Sequence, residues 1–404
     1  MSLDLDGETT RTKSGGFPAV VTKIKELRLE NPNSLTLHAG DATNGTLYFT
    51  LFEGEADAAL MNVVCFDAFV VGNHEFNNGD QGLVTFLDYL NEGNCQTPVL
   101  GANVQPEVGI SPLAKSSRDD YIQPYTIVER NGEKIGIIGI VISKKTKMSS
   151  NPDDNTMFLD EVSTAQKYTD ELNSQGVDRV ILLSHFGYEN DLALAQKTSG
   201  IDIIVGGDSH SLLGDLSDLG LKPSGSYPTM VNDASGNDVC VVTAWEYSQI
   251  VGELHAEFDG QGNITSCMGT PHMMLADSFK RKNADGERVE IEEGYRDAVY
   301  SVIKVNPSLS IVEPDADAQA LLAGYSSKID EFSSKIIGSV IEDLCLERIP
   351  GQGKSKMCDP SKTAKNGSDI SNIVAQAFRE MSNLSDIAIQ LSLIHISEPT
   401  RLSL

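Results

Sequence analysis

Basic residues are scarce in this chain, with 31 Lys and Arg against 58 Asp and Glu in 404 residues and a formal net charge of -27. That balance argues against binding a nucleic-acid polymer, whose affinity comes mostly from cations that neutralise phosphates. An anionic substrate would therefore need bound cations at its site. Long apolar runs are missing too. None reaches the roughly 18 residues that a membrane span needs, and the polar start MSLDLDGETTRTKSGG lacks the apolar stretch of a signal peptide. The six cysteines contain no CxxC pair, which removes a zinc knuckle and a thioredoxin-type redox motif. An even count permits disulfides without requiring them. Cys345 and Cys358, flanking LERIPGQGKSKM, are the most plausible bridge in an oxidising compartment.

What is present is ordinary for a folded soluble protein, at 40% hydrophobic and 22% charged residues, and the length allows one large core or two domains. From Gly15 to about Phe258 short apolar strands alternate with amphipathic helices, the pattern of an α/β layered domain. Strands are expected at 34–39, 67–71, 98–101, 121–129, 134–141, 178–184, 201–205, 228–233, 238–244 and 249–258, and helices at 18–30, 53–63, 80–91, 160–175 and 189–198. Asn131-Gly132 and Ser235-Gly236 mark two hairpins. The polar stretch from Met268 to about Gly294 reads as a connector out of this domain, expected to span 1–290. A connecting segment with a helix near 315–335 follows. A partial second domain is expected over 336–390, with a strand, the Cys-flanked loop, a helix over 369–382 and a strand at 386–390. It is too short for a core of its own.

Four motifs stand where β-branched runs give out: Gly40-Asp41, Gly72-Asn73-His74-Glu75, His185 and Asp208-Ser209-His210. Metal donors at the ends of buried strands are how such a sandwich builds a two-metal phosphoester site, so the pattern points to a hydrolase. A carboxylate at Asp41 can bridge two cations, although on this motif alone it reads equally as a cap. Asn73 offers a neutral amide oxygen, and His74 is a donor to a phosphoryl or leaving-group oxygen. His185 alone is as easily a hydrogen-bonded core histidine. Asp208 and His210, two apart in a loop, can reach neighbouring ions. His38, His255 and His272 read as structural.

The order of these motifs, with Gly16-Phe17, AGDATNG, MNVVCFDAFVVGNHEF, GAN, KIGIIGIV and SDISNIVAQAF followed by SDIAIQ, resembles the 5'-nucleotidase family of calcineurin-like metallophosphoesterases over roughly residues 14–390. The resemblance implies a four-layer α/β/β/α sandwich with a fragment of an α/β C-terminal substrate-binding domain. It implies two divalent ions (Mn, Mg or Zn, with Ca as a substitute), one held by Asp41, Asn73, His185 and Asp208 and the other by Asp41 and His210. It further implies in-line attack of a metal-activated water on a nucleoside 5'-monophosphate, with His74 catalytic and Asn77 orienting it. Asn73 and Arg348 would contact substrate. The nucleotide is the expected partner, the compartment extracellular, periplasmic or cell-surface. A 2',3'-cyclic phosphodiesterase or nucleotide-sugar hydrolase shares this chemistry, and a noncatalytic binding protein is the reading of another class.

Three departures qualify the resemblance. The family's first strand carries an Asp-x-His motif that nothing before Gly15 supplies, since Asp4-Leu5-Asp6 has neither an apolar strand before it nor a histidine. Truncation at both ends is therefore expected, and weak or no activity of the chain alone. Asp208 stands where the family usually has histidine, which shifts preference toward magnesium or manganese. Asn77 replaces an acid, and an amide stabilises a protonated imidazole less than a carboxylate does. The tail LSLIHISEPTRLSL (391–404) matches a translated sequencing-library adapter, so His395 is not a ligand candidate.

Overall fold

The computed structural model describes residues 1–336, 338–347, 349–382 and 387. Arg348, most of the strand expected at 386–390 and the tail 391–404 lie outside the described residues.

One sheet has the order β12-β13-β11-β10-β8-β7, built from β7 (Tyr125–Arg130), β8 (Glu133–Val141), β10 (Arg179–His185), β11 (Ile203–Gly206), β12 (Thr229–Asn232) and β13 (Asp238–Thr243). Its four inner strands are parallel, and the β7–β8 and β12–β13 pairs are antiparallel, the two hairpins that the Asn-Gly and Ser-Gly turns predict. Burial on both faces explains the continuous apolar runs of β8 and β10. Facing it are a parallel three-stranded sheet, β3 (Leu37–His38), β4 (Ala68–Val70) and β5 (Val99–Leu100), and a second six-stranded sheet. Residues of all three sheets share one core that includes Val70, Leu100, Ile137, Leu183, Ile203 and Ile264.

Helices α1 (Phe17–Glu30), α3 (Glu55–Val64), α4 (Gly79–Glu92) and α9 (Ala316–Ser333) cover one outer face, and α6 (Glu161–Ser174) and α7 (Tyr188–Ala195) the other. The result is the four-layer α/β/β/α sandwich. The short helices α2 (Leu47–Phe52) and α5 (Ser143–Ser149) and the two-stranded β6 (Val104–Pro106) and β9 (Thr156–Phe158) sit in connections. The single helix expected at 53–63 begins instead at Glu55, because Gly54 takes a left-handed φ of 95° that separates it from α2.

Two expectations are corrected in the second six-stranded sheet. The stretch from Met268 onward is not a connector. It belongs to β15 (Ile264–Lys282), 19 residues long, paired with β14 (Ile250–Phe258), β2 (Glu8–Ser14), β16 (Arg288–Glu290) and β17 (Leu309–Ile311). Its period was hidden because Met273, Met274 and Leu275 are buried in succession and the register shifts between Leu275 and Phe279. The polar start is not strandless either: β1 (Ser2–Leu5) and β2 form a hairpin, with Leu3 and Leu5 buried among Phe279, Val299 and Leu309. The amphipathic helix α8 (Glu293–Val305) closes that cluster through Val299 and Ile303.

Among the described residues after α9 no strand forms near Ile336, and two helices, α10 (Pro360–Asn366) and α11 (Asp369–Met381), follow the Cys345–Cys358 disulfide. Two further disulfides join Cys65 to Cys95 and Cys240 to Cys267.

Among the described residues β3 pairs only with β4, and β14 only with β15. A cleft of about 2510 Å³ lies between those two edges, with Ile181, Ile203 and Val242 on one side and Val20, Ile24 and Leu60 on the other.

Candidate active site

The candidate donors stand where parallel strands of two facing sheets end, Asp41 and Asn73 after strands of the three-stranded sheet and His185 and Asp208 at strands of the six-stranded one. The chain leaves β3 through Gly40 into Asp41, leaves β4 toward Gly72 and Asn73, ends β10 at His185 and leaves β11 through Gly207 into Asp208. The loops meet so closely that a Cβ on Gly72 would lie 2.2 Å from Asp41 Oδ1, and one on Gly207 2.4 Å from the Ala39 carbonyl oxygen. Only glycine permits that approach. Asp41, Asp208 and His210 hold φ at 54°, 69° and 51°, left-handed values that non-glycine residues adopt at a cost and that cluster at functional sites.

His185 is buried. Its Nδ1 lies 2.6 Å from the Ala39 carbonyl oxygen, which can only accept, so Nδ1 carries a proton. Its Nε2 is 3.0 Å from Asp41 Oδ2 and 3.6 Å from Asp208 Oδ1, yet makes no directed hydrogen bond. Asn73, fully buried, places one end of its amide 3.2 Å from Asp208 Oδ1 and the other 3.3 Å from the His74 amide nitrogen. With its nitrogen toward Asp208 the amide donates there and accepts from the His74 N–H, whereas with its oxygen toward Asp208 two acceptors oppose each other, the orientation that a cation between them would require. Neighbouring donors around an ion with bonds near 2.1 Å stand roughly 3.0–3.5 Å apart. The separations around His185 fall close to that range, and the donor set of two carboxylates, one imidazole and one amide suits a hard or borderline divalent ion. No three His, Cys, Asp or Glu side chains close by themselves on a metal position among the described residues. The fourth candidate donor is the Asn73 amide, and Lys145 Nζ contacts Asp208 Oδ1.

The charges are interlocked. Burial pushes the Asp41 carboxyl up, but the His185 imidazole and the His74 backbone N–H outweigh it and hold the group at about 2. Burial pulls the His185 imidazole down, and Asp41, the Ala39 carbonyl and Asp208 together raise it to about 9.

Beside this cluster, the His74 backbone N–H donates to Asp41 Oδ1 at 2.9 Å. Asn77 brings its amide to His74 Nδ1, with Nδ2 at 3.0 Å and Oδ1 at 3.3 Å, and Asn44 Nδ2 stands 3.0 Å from the same nitrogen. His210 sets its Nδ1 3.1 Å from Glu246 Oε2 and its ring against the edge of Tyr247, on the same cleft. Arg348 lies outside the described residues. His38 is structural, accepting from the Gly40 N–H and packed edge-on to Phe66 and Phe69. His255 and His272 both bind Glu253, at 2.9 and 2.8 Å.

Two residues that sequence reasoning passed over are prominent. Glu75 is buried and accepts from the backbone N–H groups of Gly72, Asp41 and Thr43 at 2.5, 3.0 and 3.2 Å, tying the loops of Asp41 and Asn73 together. Its place directly after His74 was the available signal. Lys145 on α5, which is the second residue of Lys144-Lys145 in the sequence, had no signal.

Residues 13–212 match the family model of the calcineurin-like phosphoesterases. The chain carries a calcineurin-like phosphoesterase domain. Within that class its relatives are 5'-nucleotidases. It is 42% identical to the probable 5'-nucleotidase of Treponema pallidum over 84% of this chain and 56% of that protein. It is 36% identical to the NAD 5'-nucleotidase of Haemophilus influenzae over 96% of this chain and 62% of that protein. Among solved structures, the Haemophilus influenzae NAD nucleotidase superposes with a TM-score of 0.78 and 39% identity, covering 84% of this chain and 65% of that one. The chain thus spans 56% and 62% of the length of the two relatives.

Proposed function

We propose that this chain is the metal-binding part of a dimetal phosphomonoesterase that converts nucleoside 5'-monophosphates to nucleoside and phosphate. The observation that carries the reading is the buried Nε2 of His185, without a directed hydrogen bond, facing Asp41 and Asp208, with His74 beside them on the same cleft. Asp41, Asn73, His185 and Asp208 would hold one ion, and Asp41 with His210 would contribute to the other. Divalent cations supply charge neutralisation and a lowered pKa for water. The carboxylates of Asp41 and Asp208 favour manganese or magnesium.

The protein's own groups then have distinct tasks. Asn77 and Asn44 fix the His74 ring, so that its remaining nitrogen donates to a phosphoryl or leaving-group oxygen. Ala39 fixes the His185 tautomer, and Glu75 holds the loops of Asp41 and Asn73 in register. The names of the relatives, a 5'-nucleotidase and an NAD 5'-nucleotidase, favour a nucleotide substrate over the cyclic and sugar-linked alternatives. Three disulfides favour an oxidising compartment outside the cytoplasm.

Among the described residues the second of these ions would have Asp41 and His210 as its only candidate donors, so turnover by this chain should be weak. A further strand laid parallel to β3 in the cleft would end beside Asp41, where added donors could complete that ion. The test is phosphate release from an aryl phosphate and from a nucleoside 5'-monophosphate with manganese present. Slow release abolished by His74→Ala supports the reading, whereas release that His74→Ala leaves unchanged overturns it.

A further inference from the structure

The ammonium of Lys145 contacts Asp208 Oδ1, the same oxygen that faces His185 Nε2 at 3.6 Å and the Asn73 amide at 3.2 Å. A side chain from α5 thus brings a positive charge to the atom on which the donor set converges. Its own helix is anchored on both sides. The Ser143 N–H donates to Glu161 at 2.7 Å, Thr146 Oγ1 donates to the Ile142 carbonyl at 2.5 Å, and Asn151, just past the helix, donates to the carbonyls of Phe76 and Asn77 at 3.1 and 2.8 Å. The Lys145 side chain is 40% exposed while that of Asp208 is 9% exposed. The ammonium can therefore leave for solvent by rotation about its own flexible stem, but the carboxylate cannot.

We propose that Lys145 is an internal counter-cation, occupying the cation position at Asp208 in the metal-free protein and displaced from it by the divalent ion. The proposal rests on the metal-site reading above. Left alone, Asp41 and Asp208 would set two carboxylates around one imidazole in a dehydrated pocket, and an unneutralised buried carboxylate is costly. Lys145 removes that cost without closing the site, because a lysine ammonium is a compact point charge with no fixed fork. It competes with the metal and sets its affinity, which makes it a positioning residue.

The experiment is calorimetric titration of the full chain with manganese chloride, together with thermal unfolding of metal-free and manganese-loaded protein, for wild type, Lys145→Met and Lys144→Met. Lys144 is exposed on the same helix and removes the same charge without that contact. Lys145→Met should bind manganese about two- to fivefold more tightly, the scale of a partly exposed ion pair. Its metal-free form should melt lower, its loaded form should melt as wild type does, and Lys144→Met should match wild type throughout. Equal or weaker manganese binding by Lys145→Met overturns the proposal, and so does equal tightening by Lys144→Met. A wild-type chain that binds no manganese overturns the metal-site reading itself, a distinguishable result.

Discussion

His185 Nδ1 donates to the carbonyl oxygen of Ala39 across 2.6 Å, and this one bond makes Nε2 the buried ring nitrogen that faces two carboxylates. Ala39 belongs to the turn that carries Asp41, so the same contact locks two donors from loops 144 residues apart in sequence. Replacing His185 by Gln should weaken manganese binding at least about tenfold, the loss typical of disrupted metal-site ligation. Titration calorimetry checks it, and unchanged affinity would remove His185 from the ligand set.

Glu75 is a structural tie under the site. Burial is the first cause holding its carboxyl above the usual range, with Asp41 next. Glu75→Ala leaves the N–H groups of Gly72, Asp41 and Thr43 without their acceptor, and it should destabilise the chain by about 1–3 kcal/mol in urea unfolding. Glu75→Gln retains one acceptor oxygen and should cost less. Equal stability of all three proteins would show that the loops hold together without it.

Stability should fall as pH rises from about 4 to 7, in part through Asp202. Burial raises its carboxyl from 3.8 to about 7, and it accepts the Val180 N–H at 2.7 Å. In that window the folded chain keeps a proton that the unfolded chain has lost. The contribution is therefore complete below the unfolded value and disappears as pH passes the folded one. Metal-free unfolding midpoints at pH 5 and 8 should differ less in Asp202→Asn than in wild type, and an identical pH dependence would contradict the assignment.

The Cys240–Cys267 bridge ties β13 to β15, closing 27 residues of chain. Reducing it selectively, by paired Ser substitution, should lower stability by about 2–4 kcal/mol. Urea unfolding of the paired variant under oxidising conditions measures the effect.

The edges of β3 and β14, which pair with no further strand among the described residues, give a last expectation. Trp245, the single tryptophan, lines the same cleft. A synthetic peptide of about seven residues, apolar on both faces, should pair with those edges as a strand buried on both sides does. Saturable change in Trp245 emission, with slowed amide exchange in β3 and β14, is the expected outcome. A polar peptide of equal length should produce neither effect, and an equal response to both would mean the cleft does not select a strand.

Most of the parallel strands were legible because they are buried on both faces, and several run into a glycine, as at IDIIVGG. The β15 strand was illegible for the opposite reason: its apolar residues follow a shifted register, and its polar residues at Thr265, Ser266 and Thr270 imitate a linker. The β1–β2 hairpin was missed because two buried leucines, Leu3 and Leu5, are too few to mark a strand until Phe279 and Leu309 pack on them. At the site, the residue types at Asp41, Asn73, His74, His185 and Asp208 carried their own chemical signal. Lys145 did not, since a lysine on a short polar helix gives no sign of the carboxylate it will meet.

The sequence by itself determined which atoms are available for chemistry and that they stand at strand ends, because the run of β-branched residues and the glycine after it are local properties. Tertiary structure alone decided their distances, the tautomer of His185, the partner of Lys145 and the pairing of Cys65 with Cys95 and of Cys240 with Cys267, whereas the Cys345–Cys358 bridge was already the one expected from sequence. Those depend on contacts between segments far apart in the chain, such as Ala39 with His185 and Cys240 with Cys267, which no local pattern encodes.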